Sequence, residues 1–299
     1  MQLLSILSLF FVLTAQAEFR VVSYNIRNFD YDERSHVSTN KAHLIQQIKN
    51  MNPHLMAVQE INKGHVFNTM LNNNFDARYK LALTRCGGAH DQKLGFVFDQ
   101  TKLELLSFKE DSRTVNVGHA YQEVCGHGSR PLAIGVFKRK DTQETFIAIS
   151  VHLKSGGRPK NIEKRFKQHK VIQNVIQEYK AKGIDNFILM GDFNSTEYNN
   201  KKSSAHEKFK QSVNRMNGID LSKQISCTSY WWGGIDDNTQ YPSLLDHIIV
   251  SKNLVKGVSP QAQSFGHCAK LKCQITAERD MGVSFDEVSD HCPQLATLK

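Results

Sequence analysis

Leu189-Met190-Gly191-Asp192-Phe193-Asn194 is the stretch on which the reading of this chain turns. Apolar residues close a strand, a glycine lets the backbone turn, and a carboxylate and a carboxamide follow two positions apart. A strand that delivers Asp192 and Asn194 to the edge of a sheet suits chemistry better than packing alone.

The same grammar returns along the chain. Val21-Val22-Ser23-Tyr24-Asn25 ends in a carboxamide, Met56-Ala57-Val58-Gln59-Glu60 in a carboxylate, and Ile147-Ala148-Ile149-Ser150-Val151-His152 in an imidazole. Toward the C-terminus come Ser243-Leu244-Leu245-Asp246-His247-Ile248-Ile249-Val250-Ser251 and Ser289-Asp290-His291-Cys292-Pro293. Singly, each ending is ordinary, because a polar residue after a strand is the usual entry to a loop; their ordered recurrence carries the information. Leu44, Ile45, Ile48 and Met51 predict a helix over 39–51 that stops before Pro53. Phe166, Ile172, Val175, Ile176 and Tyr179 predict a second over 163–182 that stops at Gly183. Each helix leads into an apolar strand, the first ending in Glu60 and the second in Asp192, and residues 94–98, 132–137 and 146–151 read as further strands. Polar groups at the C-terminal ends of strands are the layout of an α/β site.

At 299 residues with 40% hydrophobic content, the chain can bury one large core. No linker, low-complexity tract or internal repeat interrupts it, so one domain over 18–299 is the simplest expectation. The apolar run at 3–13 followed by Ala15-Gln16-Ala17 has the pattern of a secretory signal over 1–17, although no Lys or Arg precedes it; an uncleaved anchor is the alternative. Export to a secreted or periplasmic location would explain the six cysteines, Cys86, Cys125, Cys227, Cys268, Cys273 and Cys292, which contain no Cys-x-x-Cys pair. Six cysteines allow fifteen connectivities; the pairings put forward are Cys268 with Cys273 and Cys86 with Cys125. A zinc site of His267, Cys268 and Cys273 is the sharper alternative.

Taken as a set, Asn25, Glu60, His152, the Asp192–Asn194 turn, Asp246 and the Ser289-Asp290-His291 run resemble the endonuclease/exonuclease/phosphatase superfamily. These are the deoxyribonuclease I-like metal-dependent phosphoesterases, and the resemblance covers 19–298. It implies an α/β fold, a four-layer α/β/β/α sandwich with two mixed β-sheets and the active site at one edge. It implies Glu60 as principal metal ligand with Asp290 and Asn25 nearby, oxygen donors that suit Mg²⁺ or Mn²⁺, with Ca²⁺ in a supporting place. By the same resemblance His291 is the general base, Asp246 orients it and Asp192 holds the water. Asn194 and Asn25 would donate to phosphate oxygens, His152 would meet the leaving oxygen, and Arg130 would grip the phosphate through its planar guanidinium. Lys154, next but one to His152, is expected on the same strand face as a second cation.

Two departures stand out. The nuclease prototype pairs its first catalytic histidine with a glutamate where this chain has Gln92, which leaves the orienting partner of His152 open. Relatives that act at abasic sites carry an acid two residues after the first asparagine, where this chain has Arg27; that argues against such a repair role. Other features read as bland. Asn194-Ser195-Thr196 is a formal glycosylation sequon inside the expected site and reads as coincidence. Tyr230-Trp231-Trp232 reads as an aromatic group packed beside the strand of Asp246, with a membrane-inserting or base-stacking tip as the alternative. Lys160, Lys164, Arg165, Lys167 and Lys170 read as a solvated helix face, and His169 among them takes no role.

Substrate choice rests on charge. A net charge of +9 favours a polyanion, and duplex DNA carries about one charge per 1.7 Å of axis. A monomeric, secreted DNA endonuclease is the expectation. A lipid phosphodiesterase or phosphatase, drawn to anionic lipid, is the alternative, and a non-catalytic binding module retaining the fold is a third.

Overall fold

A computed structural model of the chain describes residues 18–117, 125, 128–234, 237–255 and 260–298. The expected export signal at 1–17 lies outside the described residues. Two six-stranded sheets dominate. Across the first the order is Gln263–Ser264, Gln294–Leu298, Phe19–Phe29, Leu55–Ile61, Lys93–Asp99 and Tyr79–Leu83. Across the second it is Gly218–Asp220, Asp246–Ser251, Phe187–Asp192, Thr145–His152, Leu132–Arg139 and Leu103–Asp111. Both sheets are mixed: Phe19–Phe29 runs parallel to Leu55–Ile61 and antiparallel to Gln294–Leu298, and Phe187–Asp192 runs parallel to Thr145–His152 and antiparallel to Asp246–Ser251.

The period-two alternation of strand side chains explains the layering. Val21, Leu55, Ala57, Leu94, Phe96 and Phe98 face the core shared with the second sheet. Their neighbours Val22, Met56, Val58 and Val97 face the opposite way, into a cluster with Leu44, Ile48, Met51, Phe67 and Leu71 of helices α1 (Lys41–Met51) and α2 (Gly64–Asn74). On the far side, α3 (Pro159–Lys180) and α4 (Ser204–Arg215) bury Ile172, Val175, Ile176, Phe209 and Val213 against the second sheet. Strands covered on both faces read as near-continuous apolar runs, and these do. The result is the expected four-layer α/β/β/α sandwich. Among the described residues no helix is long and apolar enough to cross a membrane.

Helix ends differ from the periodicity by a few residues. α1 starts at Lys41 because Asn40 caps it, its Oδ1 accepting from His43 N at 3.0 Å. α3 starts at Pro159, four residues before the expected 163; a proline needs no hydrogen bond in a first turn, and Lys160 and Asn161 give no apolar signal there. Arg165 corrects the reading of a solvated face. It is 1% exposed, and its guanidinium donates to both carboxylate oxygens of buried Glu197, to Lys154 O, to Gly156 O and to Thr196 Oγ1. A buried arginine is tolerable when all five N–H groups are satisfied this way.

His169, also buried on α3, is the reverse case. Its ring lies against Phe166, Phe193 and Phe209, and neither nitrogen has a hydrogen-bond partner. Burial first, then the charges of Arg165 and His247, push its pKa down from 6.5 to about 3. The unfolded chain therefore takes up a proton that the folded one refuses, and stability falls as pH drops below 6.5 toward that lower value. One such group sets a slope of at most about 1.4 kcal/mol per pH unit. His169→Phe is expected to flatten the loss of urea-unfolding free energy between about pH 6 and 4, and an unchanged slope would place the acid sensitivity elsewhere.

The cysteines form three disulfides, Cys86–Cys125, Cys227–Cys273 and Cys268–Cys292, and none is free. The expected Cys86–Cys125 bridge is present. The expected Cys268–Cys273 bridge is not: Cys268 lies on the short helix Gly266–Lys270, and the chain passes through left-handed Lys272 and Cys273, which bonds to Cys227. The zinc alternative falls as well, since the thiolates it needs are oxidised. Thiol titration of the denatured protein should find no free thiol, and each bridge should contribute roughly 2–5 kcal/mol that reduction removes. Several reactive thiols in protein taken from its native compartment would contradict this pairing.

Candidate active site

Strand register assembles the site. Asp192 pairs with His152 on one neighbouring strand and with Asp246 on the other, so three polar groups far apart in sequence stand at one level of the second sheet. Gly191 makes this possible: a Cβ there would collide with Val151 O, and its φ of 139° suits glycine. In the first sheet Asn25 pairs with Gln59, one residue before Glu60. The sheets are tied across the core by Gln59 Nε2, which donates to Ser150 Oγ at 3.0 Å.

Asp192 is the hub. Its Oδ2 accepts from Asn194 Nδ2 at 3.1 Å and Asn25 Nδ2 at 3.3 Å, and lies 3.2 Å from His152 Nε2 and 3.8 Å from His291 Nε2. Its Oδ1 accepts from Asn194 N at 2.7 Å. His291 Nδ1 is 2.8 Å from Asp246 Oδ2. Burial, with Asp246 and Glu60, raises the Asp192 pKa from 3.8 to about 7, against the pull of His291. Burial opposes a charged His291, yet Asp246, Asp192 and Asp290 outweigh it and hold the imidazole well above its ordinary range. His152 behaves oppositely: burial first, then Arg130, His291 and Lys154, keep it neutral.

Glu60 lies beside Asn25, its Oε1 accepting from Asn25 Nδ2 at 3.1 Å and its Oε2 from Asn28 N at 3.1 Å. Its backbone is left-handed, φ 62°, where the strand pairing shifts register; a non-glycine residue held there costs on the order of 1 kcal/mol. Burial raises its pKa, Arg130 lowers it, and the charge of Asp290 raises it further. Arg130 is itself depressed by burial and drawn back up by Glu60 and Asp192, so its cation stands within electrostatic reach of the carboxylates. The ligand atoms of Asp192, Asp246 and His291 also lie within 4.8 Å of one another, a second group with metal-ligand chemistry.

The residues named from sequence thus converge, with corrections of detail. Lys154 is not on a strand, because the strand ends at His152; it lies in the loop that follows. Gln92 does not orient His152. Its Nε2 donates to Asn28 Oδ1 at 2.6 Å, bracing the residue whose amide holds Glu60, while His152 Nδ1 has no hydrogen-bond partner and lies 3.7 Å from Glu60 Oε1. Arg27 donates to Asp286 O. Asn194 is buried, in keeping with a coincidental sequon. Trp231 and Trp232 are 43% and 56% exposed; only Tyr230 packs inward, so the aromatic group is not the packed cluster expected.

Sequence reasoning missed the residues that hold the pair in place. Ser289 Oγ donates to Asn25 O at 2.7 Å and accepts from His291 N at 3.0 Å, fastening the His291 segment to the strand of Asn25. Thr228 Oγ1 accepts from Leu245 N and Asp246 N, and its carbonyl accepts from Cys292 N, fastening both partners of the His291–Asp246 pair. Ser289 stood beside a motif already singled out; Thr228 lay in a stretch with no periodicity or motif to mark it.

Comparisons agree with the fold. No curated protein sequence matches the chain at a significant level. Among solved structures, an endonuclease/exonuclease/phosphatase protein from Bacteroides vulgatus superposes with a TM-score of 0.65 at 18% identity, covering 95% of this chain and 99% of its own. TDP2 from D. rerio, complexed with a single-strand DNA product, gives 0.62 at 15% identity, covering 95% and 100%. A mannosyl-6-phosphatase from Bacteroides thetaiotaomicron gives 0.62 at 16%, covering 94% and 99%. Likeness at this identity speaks for fold alone. The sequence model of the Endonuclease/Exonuclease/phosphatase family matches residues 22–291, nearly the whole described chain, and the protein belongs to that family of divalent-metal-dependent phosphoester hydrolases.

Proposed function

We propose that the protein is an exported phosphodiesterase whose substrate is DNA, cut as an endonuclease. The observation that carries this reading is the convergence of the His291–Asp246 pair, His152, Asn25 and Asn194 on Asp192, with Arg130 in electrostatic reach. The three disulfides support export, since such bridges persist in oxidising compartments.

The donor set fits a hard divalent cation, Mg²⁺ or Mn²⁺. Glu60 and Asp290 are carboxylates that repel each other, and Asn25 Oδ1, which accepts from Arg27 N, keeps a lone pair free. These three residues would hold the ion, which supplies charge neutralisation at the phosphate. The remaining roles belong to the chain. Asp246 fixes Nδ1 of His291, and once the imidazole has given up its second proton, Nε2 is free to take one from a water positioned by Asp192. The water oxygen bonds to phosphorus as the bond to the leaving oxygen breaks. Neutral His152 meets that oxygen as a hydrogen-bond donor while the oxygen takes its proton from water, and Asn25 and Asn194 would turn their amide N–H groups from Glu60, Asp192 and Leu153 O to the phosphate oxygens. Arg130 and Lys154 add cations, and the net charge of +9 favours a polyanionic chain.

A panel of plasmid DNA, RNA, sphingomyelin and phosphoinositide liposomes with Mg²⁺ or Mn²⁺ tests the assignment. Plasmid nicking is expected, with affinity that falls log-linearly with salt, and Arg130→Ala should weaken cleavage and flatten the slope. The exposure of Trp231 and Trp232 favours one second reading, a lipid phosphodiesterase or phosphatase whose interfacial contact they supply. Liposome hydrolysis that disappears when both are replaced by serine, with no nicking of plasmid, would move the assignment there.

A further inference from the structure

A run of cations leads away from the reacting centre. Lys160 and Lys164 stand four residues apart in the first two turns of α3, and Lys154 lies in electrostatic reach of both and of Arg130. Among the described residues no carboxylate lies within ion-pair distance of any of these four, whereas Arg165 pairs with Glu197 and Lys167 with Glu163. The charges feel one another in sequence. Arg130 couples to Glu60 and Asp192, and Lys154 to His152. Lys154 is itself depressed by burial and then by Lys164, Arg130, Arg165 and Lys160. Unpaired like charges held together destabilise a fold, which gives the arrangement meaning as a site for an anion.

A buried hydrogen-bond frame fixes their spacing. Gln168, fully buried on α3, accepts from Lys154 N at 3.0 Å and donates to Thr114 O at 3.0 Å. Thr114 Oγ1 in turn donates to Arg130 O at 3.1 Å. Arg165 donates to Lys154 O at 2.9 Å and Gly156 O at 2.8 Å while its other bonds go to Glu197 and Thr196. The backbones of Arg130 and Lys154 are thus tied to one face of one helix, and that helix also carries Lys164.

We propose that Lys154 and Lys164 form a second phosphate subsite, and that Arg165 and Gln168 are positioning residues that set its distance from Arg130. The ligand is the neighbouring phosphate of a phosphodiester chain; a lone phosphodiester has nothing to place there. This rests on the phosphodiesterase reading above and narrows its substrate class to polymers.

The test compares a labelled oligonucleotide duplex with bis(4-nitrophenyl) phosphate, which carries a single phosphate. Lys164→Ala should raise KM for the duplex roughly tenfold, with kcat moved less than about twofold and KM for the small ester within about twofold. Gln168→Leu should repeat that split with Lys164 in place, and should speed amide exchange at Lys154. In metal-free buffer, duplex binding followed by anisotropy should lose about one unit of log–log salt slope in Lys164→Ala. An unchanged KM for the duplex in both variants, or an equal rise on both substrates, would overturn the subsite. Should Gln168→Leu fail to fold, Lys164→Ala decides alone. A wild type that hydrolyses neither substrate, yet binds duplex with a slope that Lys164→Ala reduces, refutes the hydrolytic reading and keeps the subsite. A wild type that does not bind duplex overturns the subsite.

Discussion

His291→Ala is expected to lower kcat by roughly 10²–10⁴-fold, the usual worth of a positioned general base. Asp246→Asn should cost a comparable factor, because an amide that donates to Nδ1 would fix the wrong tautomer and leave Nε2 unable to accept a proton. The double variant should be little worse than either single one, since the 2.8 Å pair acts as a unit. Circular dichroism and thermal melting should show the fold intact, because the pair's backbone is fastened by Thr228 and Ser289 rather than by its own side chains. Losses that multiply, or near-normal turnover in His291→Ala, would remove the pair from the chemistry.

Chelation is expected to abolish hydrolysis, a fall of roughly 10³-fold or more if the ion supplies several kcal/mol of charge stabilisation. Mg²⁺ or Mn²⁺ should restore it. Glu60→Gln should weaken the response to added metal, because the amide keeps the hydrogen-bonding shape but loses the negative charge. Full activity after exhaustive EDTA treatment, with metal content verified by elemental analysis, would sink the proposed donor set.

Much of this site is legible in the chain because strand ends advertise themselves. An apolar run followed by a polar group marked Asn25, Glu60, His152 and Asp192 without any knowledge of which strands adjoin, although the strand of Asn25 runs on to Phe29 rather than ending there. Residues that act from loops or buried helix faces had no such marker. Arg165 and Gln168 fall among lysines that read as solvated, and only the tertiary fold turns them inward, where Glu197, Thr114 and two loop carbonyls satisfy them. Trp231 and Trp232 show the converse: hydrophobicity suggested packing, and the fold leaves them outside.

What the sequence by itself determined is local: where strands and helices run, which polar groups end them, that the cysteines favour disulfides, and, through the ordered motifs, the family. What the tertiary structure decided is everything that depends on which distant segments adjoin. The disulfide partners of Cys268 and Cys273, the register that sets Asp192 between His152 and Asp246, the left-handed turn that aims Glu60, and Gln92 bracing Asn28 all belong here. The physical reason is that side-chain periodicity reports burial along one segment, whereas pairing, register and pKa arise from contacts between segments that burial alone leaves free to combine in many ways.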